Sequence, residues 1–83
     1  MIRIAISTDG NQVSPHFGRC NTYTMIDLED GKVIAKEVIK NPGHEPGFLP
    51  QFLHKSGVNA IVAGGMGPRA QSLFQEVGIN VYL

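Results

Sequence analysis

Residues 60–70 read AIVAGGMGPRA, and the order of residue types in this stretch predicts a strand, a turn and a helix. The short apolar run 60–63 is typical of a strand that is covered on both faces. Glycines then turn the chain, and Pro68 suits the first turn of a helix. Apolar residues continue at helical spacing, at Ala70, Leu73, Phe74 and Val77, before Gly78 ends the helix. With the strand-like residues 79–83 behind it, the stretch predicts a right-handed βαβ unit.

The N-terminal half shows the shorter period of β-strands. Isoleucines occupy alternate positions of residues 2–6, which predicts a strand whose isoleucine face is buried. Residues 22–28 and 32–39 are also rich in strand formers and flank the pair Asp30-Gly31. An Asp-Gly pair in this position predicts a hairpin with a type I′ turn, because both central residues of that turn need a positive φ. The first half therefore predicts three antiparallel strands.

The middle of the chain connects these two patterns. Residues 41–47 contain two glycines and two prolines, which is typical of a loop. Pro50 then suits the first turn of a helix, and Gly57 suits its C-terminal end. The apolar residues of this helix share one face, at Leu49, Phe52 and Leu53. We therefore predict an α/β fold in a single domain, residues 1–83. An antiparallel three-strand part is followed by a βαβ part in one mixed sheet, with helices packed on it.

The composition argues against several classes of protein. Seven basic and seven acidic side chains cancel, so no net charge attracts nucleic acid or an anionic membrane. A single cysteine excludes an internal disulfide framework, and an unpaired thiol suits a reducing compartment. The alternating start does not resemble a signal peptide, and no apolar run is long enough for a membrane span. We expect a cytoplasmic protein without nucleic-acid or membrane partners.

The stretch SPHFGRC, residues 14–20, is the first candidate binding site. The imidazole of His16 and the thiolate of Cys20 are both ligands for iron and related metals. Two ligands do not complete a structural zinc site, which takes four, but they suit a preformed cluster with an open metal position. The residues alone leave another interpretation open. In it, Phe17 anchors the turn, His16 is a surface residue and Cys20 is a small buried hydrophobe.

The glycine turn of the opening stretch is the second candidate site. It presents backbone N–H groups and the positive end of a helix dipole, and Arg69 adds a planar fork for carboxylate or phosphate. Residues 65–70 also fit the dinucleotide pattern G-x-G-x-x-A, but no acidic residue follows about 20 positions later to bind a ribose. The alternative is that the glycines only permit a tight turn. Met66 is expected either to contact a cluster or to pack in the core.

Two further observations concern a lid and catalysis. The loop 41–47 has the length and glycine content of a lid, so His44 either closes over a ligand or is simply solvated. A two-metal nuclease needs several converging carboxylates, whereas Asp9 has no acidic partner in residues 60–64. No G-x-S-x-G motif of serine hydrolases is present. We therefore do not expect an enzyme.

The motifs GGMGPRA and LFQEVGINVYL, together with SPHFGRC after an N-terminal strand, resemble the dinitrogenase iron–molybdenum cofactor biosynthesis family. The resemblance covers essentially the whole chain. The family includes small cofactor carriers and a related domain of the radical enzyme of cofactor assembly. The resemblance implies a ribonuclease H-like fold with a mixed sheet. It also implies non-catalytic binding of an iron–sulfur or iron–molybdenum cofactor or its precursor, with cluster donor and acceptor proteins as partners. In the family the histidine of the HFG motif, here His16, is the expected metal ligand, and Cys20 is a further candidate.

The candidate cofactor-binding residues are therefore His16, Arg19, Cys20, His44, Gly65, Met66, Gly67 and Arg69, with His16 and Cys20 as metal ligands. The first strand leads toward His16, and the strand at 60–63 leads into the glycine turn. If these strands are parallel neighbours, both loops open at the same edge of the sheet. The alternative function is a regulatory module that senses an anion or a nucleotide through the GGMGPR turn.

The chain departs from the family pattern at its C-terminus. Family members usually continue into a further helix, whereas this sequence stops at Leu83. Either the sequence is short or the protein is a trimmed relative. In both cases the resemblance implies that one sheet face is partly bare, which predicts self-association or a partner on that face.

Overall fold

The computed structural model describes residues 1–43 and 47–83. Within these residues, the elements in chain order are β1 Ile2–Asp9, β2 Gln12–Val13, β3 Thr22–Glu29, β4 Lys32–Lys40, α1 Phe48–Lys55, β5 Ala60–Val62, α2 Pro68–Glu76 and β6 Asn80–Tyr82. Every predicted strand and helix is present. The short strand β2 was not predicted, because two residues are too few to show a period. His44 lies outside the described residues.

The strands form one mixed sheet in the order β4-β3-β1-β5-β6, and β2 pairs with the end of β1. β1 pairs antiparallel with β3, and β3 pairs antiparallel with β4. β5 lies parallel to β1 on one side and parallel to β6 on the other. This confirms the predicted α/β fold with an antiparallel N-terminal part and a parallel C-terminal part. The ribonuclease H-like assignment and the single-domain boundary 1–83 stay predictions.

The turn between β3 and β4 agrees with the predicted type I′ hairpin. Asp30 has a φ of 51° and Gly31 a φ of 75°. Both central residues therefore have the positive φ that this turn requires. The ladder of the two strands shifts register between Asp27 and Leu28, which places a β-bulge opposite this point of β3.

Both helices pack on the same face of the sheet. The core cluster joins Leu49 and Leu53 of α1 and Phe74 of α2 to side chains of the strands. The strand residues in this cluster are Ala5, Tyr23, Met25 and Ile61. They belong to one face because Ala5 is directly opposite Met25 and next to Ile61 in the sheet register.

The prediction for the first strand was wrong about which face is buried. Ile2 is 52% exposed, and Ile4 and Ile6 are half-buried, whereas Ala5 and Ser7 are fully buried. The two helices lie over the side to which Ala5 and Ser7 point. Small side chains there leave room for the leucine and phenylalanine side chains of the helices. Alternation reveals two faces of a strand, but it does not tell which face the helices cover.

The opposite face of the sheet carries exposed apolar side chains. They are Ile2, Val33, Val38 and Tyr82, each more than half exposed. Both helices of the described ranges lie on the other face. In residues 1–43 and 47–83, neither helix is long and apolar enough to cross a membrane.

Candidate functional site

The two candidate loops meet at one edge of the sheet. β1 and β5 are parallel neighbours, so the segments that follow them leave the sheet at the same end. Two backbone hydrogen bonds join these segments directly. The Gly64 N–H donates to the Ser14 carbonyl oxygen at 2.8 Å, and the Phe17 N–H donates to the Gly65 carbonyl oxygen at 3.1 Å. The predicted convergence of the two loops is therefore confirmed.

A cavity of about 330 Å³ lies between the two loops. Its lining residues are Pro15, His16, Phe17, Arg19, Gly65, Met66 and Gly67. His16 and Arg19 are exposed, so an imidazole and a guanidinium are accessible from solvent at the cavity. Five of the eight predicted site residues are thus brought together here: His16, Arg19, Gly65, Met66 and Gly67.

The first loop is anchored by Phe17. Its ring lies edge-on to Phe74 of α2 at 5.1 Å between centroids, and 6.3 Å from the ring of Tyr23. Aromatic pairs at such separations add to the apolar burial of the anchor. Buried Ser14 supports the same loop, since its N–H donates to the Ser7 carbonyl and its hydroxyl accepts from the His16 N–H. The contacts of Phe17 and Ser14 therefore fix the loop to the core, while His16 stays on the surface.

The second loop needs glycine for a steric reason at two of its positions. A Cβ on Gly64 would lie 2.7 Å from the Pro15 Cα and 2.8 Å from the Ser14 carbonyl oxygen. A Cβ on Gly65 would lie 2.9 Å from the Pro15 carbonyl oxygen. Gly67, by contrast, would meet no atom within 4 Å. The interpretation that glycines permit a tight approach therefore holds at Gly64 and Gly65, and it does not exclude a ligand at the same turn.

The remaining predicted residues lie elsewhere. Cys20 is only 3% exposed and does not line the cavity, so the structure does not place its thiol beside His16. Arg69 is exposed in the first turn of α2 and is also outside the cavity lining. Met66 both lines the cavity and packs against the core cluster, which satisfies both interpretations of this residue.

The donor groups at the cavity suit an anion. In the described part of the chain, the backbone N–H groups of Gly65, Met66 and Gly67 have no hydrogen-bond acceptor. They precede α2, whose N-terminal end carries the positive pole of the helix dipole. Arg19 adds a positive charge beside them. No group of three or more His, Cys, Asp or Glu residues that could hold a metal ion occurs among the described residues.

Asp9 fastens the beginning of β3 to the end of β1. Its carboxylate accepts a hydrogen bond from the Asn21 N–H at 2.8 Å. This bond lowers the pKa of Asp9, and the hydroxyl of Ser14 and the charge of His16 act in the same direction. The carboxylate is therefore ionised at neutral pH. Its hydrogen bond holds the end of the loop beside β1.

A buried polar group that sequence reasoning missed lies below the first loop. Tyr23 and Ser7 are fully buried, and neither hydroxyl has a hydrogen-bond partner among the described residues. Burial raises the pKa of Tyr23, and the adjacent Cys20 thiol raises it further. The phenol is therefore neutral. The sequence pattern predicted a strand at Tyr23 and a turn beginning at Ser7, and it did not show that both hydroxyls are buried.

Sequence reasoning also missed Asn41, which lies between the first loop and the segment after β4. Its side-chain amide donates to the carbonyl oxygens of Gly18 at 3.0 Å and Cys20 at 2.9 Å, the residues that flank Arg19. Its side-chain oxygen accepts from the Gly43 N–H at 2.9 Å. The only local signal was an asparagine at the start of a Pro-Gly turn, because such side chains bond to the backbone two residues on.

The profile of the family described as dinitrogenase iron–molybdenum cofactor matches residues 1–83. The chain belongs to this family. The uncharacterized protein MJ0580 of Methanocaldococcus jannaschii is 38% identical over 87 residues, which cover 99% of this chain and 74% of that relative. Among solved structures, PH0822 superposes with a TM-score of 0.88 at 34% identity, over 96% of this chain and 76% of that one. The apo form of the orange protein from Desulfovibrio gigas gives a TM-score of 0.78 at 32% identity, over 98% and 73% of the two chains.

Proposed function

We propose that this member of the dinitrogenase iron–molybdenum cofactor family binds and carries an iron–sulfur or iron–molybdenum type cluster, or its precursor, during cofactor assembly. It does so without catalysing a reaction. The observation that carries the proposal is the meeting of the His16 imidazole, the Arg19 guanidinium and the glycine turn around one cavity. A metal ligand next to an anion-binding turn suits a metal cluster with net negative charge.

The chemistry of the site fits a cargo better than a resident metal ion. A preformed cluster brings its own sulfides, so it needs few protein ligands and can bind through a single imidazole. Arg19 and the N–H groups of the glycine turn would donate hydrogen bonds to the sulfides. Because His16 is exposed, a ligand on another protein can replace it. These properties favour transfer over permanent retention.

The family name and one relative support the same proposed function. The family is named for the iron–molybdenum cofactor of dinitrogenase. One relative is called orange protein and has an apo form, which fits a carrier of a coloured group that can be lost. By analogy we infer a cytoplasmic protein that meets cluster donor and acceptor proteins. Cys20 and His44 stay in the proposal as candidate cofactor-binding residues.

The test compares His16→Ala with His54→Ala. His54 is an exposed histidine near the end of α1, away from the cavity, and serves as the matched control. Each protein is incubated anaerobically with ferrous iron and sulfide, and bound iron and visible absorbance are measured. We expect His16→Ala to weaken cluster binding more than tenfold, which corresponds to about 1.4 kcal/mol or more. His54→Ala should bind like the wild type. Equal binding by both variants would rule out His16 as the ligand.

A second candidate function rests on the N–H groups of Gly65, Met66 and Gly67, which have no acceptor among residues 1–43 and 47–83. A module that senses an anion or a nucleotide would use these groups and Arg69 without any metal. Such a protein stays colourless after incubation with iron and sulfide, and nucleotide raises its unfolding temperature. The pair of measurements therefore separates the two functions.

A further inference from the structure

The amide of Asn41 uses all of its hydrogen-bonding groups on two separate segments. Its nitrogen donates to the carbonyl oxygens on either side of Arg19, and its oxygen accepts from Gly43. Gly18, at one of these carbonyls, has a φ of 88° and belongs to the turn that leads from Phe17 to Cys20. One planar side chain therefore joins the turn at the cavity to the segment that leaves β4.

We propose that Asn41 is a positioning residue for the cargo, which holds Arg19 at the cavity and links the Arg19 turn to the Gly43 backbone. This inference rests on the proposed function, because Arg19 needs a fixed position only if the cavity receives an anion. Asn41 itself does not line the cavity and acts through the peptide groups that it binds.

The physical reason lies in the hydrogen bonds that Asn41 gives to two carbonyl groups. Gly18 and Cys20 are buried residues, and the carbonyl oxygen of each accepts a part-buried hydrogen bond from the Asn41 amide. Removing the donor leaves them unsatisfied, and the turn relaxes to expose them. Arg19 lies between these two residues and must move with them.

The same geometry makes the two segments move together. A ligand that fixes Arg19 restrains the carbonyls beside it, and these restrain the Asn41 amide. The other end of that amide holds the Gly43 N–H. Binding at the cavity should therefore slow hydrogen exchange at Gly43, although Gly43 does not line the cavity.

The variants separate positioning from folding. Asn41→Ala removes both sets of side-chain bonds, but the backbone bond from the Asn41 N–H to the Asn21 carbonyl remains. Asn41→Asp retains an acceptor for Gly43 and places a carboxylate against two carbonyl oxygens. Asn21→Ala is the control, because this exposed asparagine uses only its backbone for hydrogen bonds among the described residues.

The probe is tetrathiomolybdate, an anion of molybdenum and sulfur with strong visible absorbance. We expect Asn41→Ala to bind it about five- to tenfold more weakly than the wild type, and Asn41→Asp more weakly still. Asn21→Ala should bind like the wild type. Saturating probe should slow exchange of the Gly43 N–H in the wild type and leave it unchanged in Asn41→Ala.

The outcomes distinguish this inference from the proposed function. If the wild type binds the probe but Asn41→Ala binds equally well, Asn41 has no positioning role. Probe binding that leaves Gly43 exchange unchanged in the wild type would also overturn the inference. If the probe does not bind, or if Arg19→Ala binds it like the wild type, the cavity is not the binding site and the proposed site itself fails.

Discussion

Gly64 marks the point where the two loops of the site touch. The atoms that a Cβ would meet there are backbone atoms of Pro15 and Ser14, which do not move without shifting the whole loop. We expect Gly64→Ala to destabilise the protein by about 1–3 kcal/mol, as overpacking does in well-packed regions. Urea unfolding followed by circular dichroism measures the change.

Gly67→Ala is the matched control for this prediction. Gly67 has a φ of −67°, which alanine adopts freely, and open space where a Cβ would lie. The free energy of unfolding should therefore stay close to that of the wild type. Equal stability of the two variants would show that the loops are not held as closely as the contact at Gly64 requires.

The two arginines of the candidate site differ in position. Arg19 lines the cavity, whereas Arg69 lies exposed in the first turn of α2. We expect Arg19→Ala to weaken tetrathiomolybdate binding more than Arg69→Ala does. For binding of the iron–sulfur cluster, Arg69→Ala should have a smaller effect than His16→Ala. Both arginine variants should make binding less sensitive to salt, because each removes a screened charge attraction. Titrations at low and high salt measure this, and the reverse order of Arg19 and Arg69 would count against the cavity as the binding site.

At the scale of the elements, the ion pair between Arg3 and Asp27 connects β1, β3 and the end of α1. Arg3 Nε lies 2.7 Å from Asp27 Oδ1, and Arg3 Nη2 lies 3.1 Å from Oδ2, which ties β1 to β3. A third guanidinium nitrogen, Nη1, donates to the carbonyl oxygen of Ser56 at the end of α1. The hydrogen bond from Arg3 lowers the pKa of Asp27. We call this set of Arg3 hydrogen bonds to Asp27 and Ser56 the Arg3 clamp. It depends on an ionised Asp27.

This clamp predicts a specific response to acid. Since the pKa of Asp27 is lower in the folded state, the ion pair stabilises the protein above the unfolded carboxyl pKa of about 3.9. That stability is lost as the pH falls through the lower, folded pKa. Asp27→Asn should therefore have a lower unfolding temperature than the wild type at neutral pH and a smaller further decrease in acid. Asp9, whose pKa is also lowered, retains part of the acid sensitivity.

Asp30→Asn is the control for the acid prediction. Asp30 lies in the exposed turn between β3 and β4 with a φ of 51°, a conformation that asparagine also accepts. The unfolding temperature of the Asp30→Asn variant should follow that of the wild type from neutral pH into acid. Thermal unfolding across this range, monitored by circular dichroism, compares the three proteins. Parallel curves for Asp27→Asn and the wild type would show that the Arg3 clamp contributes nothing to acid stability.

At the scale of the whole molecule, the bare face of the sheet predicts self-association. Val38 and Tyr82 are 57% and 58% exposed on this face, on the two edge strands. A second copy would bury this apolar surface. Val38→Lys should therefore lower the sedimentation coefficient at high concentration, whereas Gln75→Lys, an exposed site on α2, should leave it unchanged. A wild type that sediments as a monomer at every concentration would contradict the prediction.

The order and type of the larger elements were predictable from sequence because their signals are local. The two-residue and 3.6-residue periods, the Asp-Gly turn and the Pro68 helix start each involve neighbours in the chain. The pairing of β1 with β5 joins segments that are distant in the chain, so the sequence did not predict it directly. The predicted convergence of His16 with the glycine turn depended on this pairing. The family motifs pointed to His16 and the glycine turn as candidate site residues. The sheet order then places both at one cavity.

What the sequence by itself determined is therefore the set of longer strands and helices, without β2, and the chemical types at the two loops. Only the tertiary structure decided which sheet face the helices cover, so that Ala5 is buried and Ile2 is exposed. It also decided that Cys20 is buried and does not line the cavity, and that Asn41 binds the turn around Arg19. The physical reason is that a period or a turn is set by adjacent residues. The face of a strand and the partner of a buried polar group are set by packing between segments that are distant in the chain.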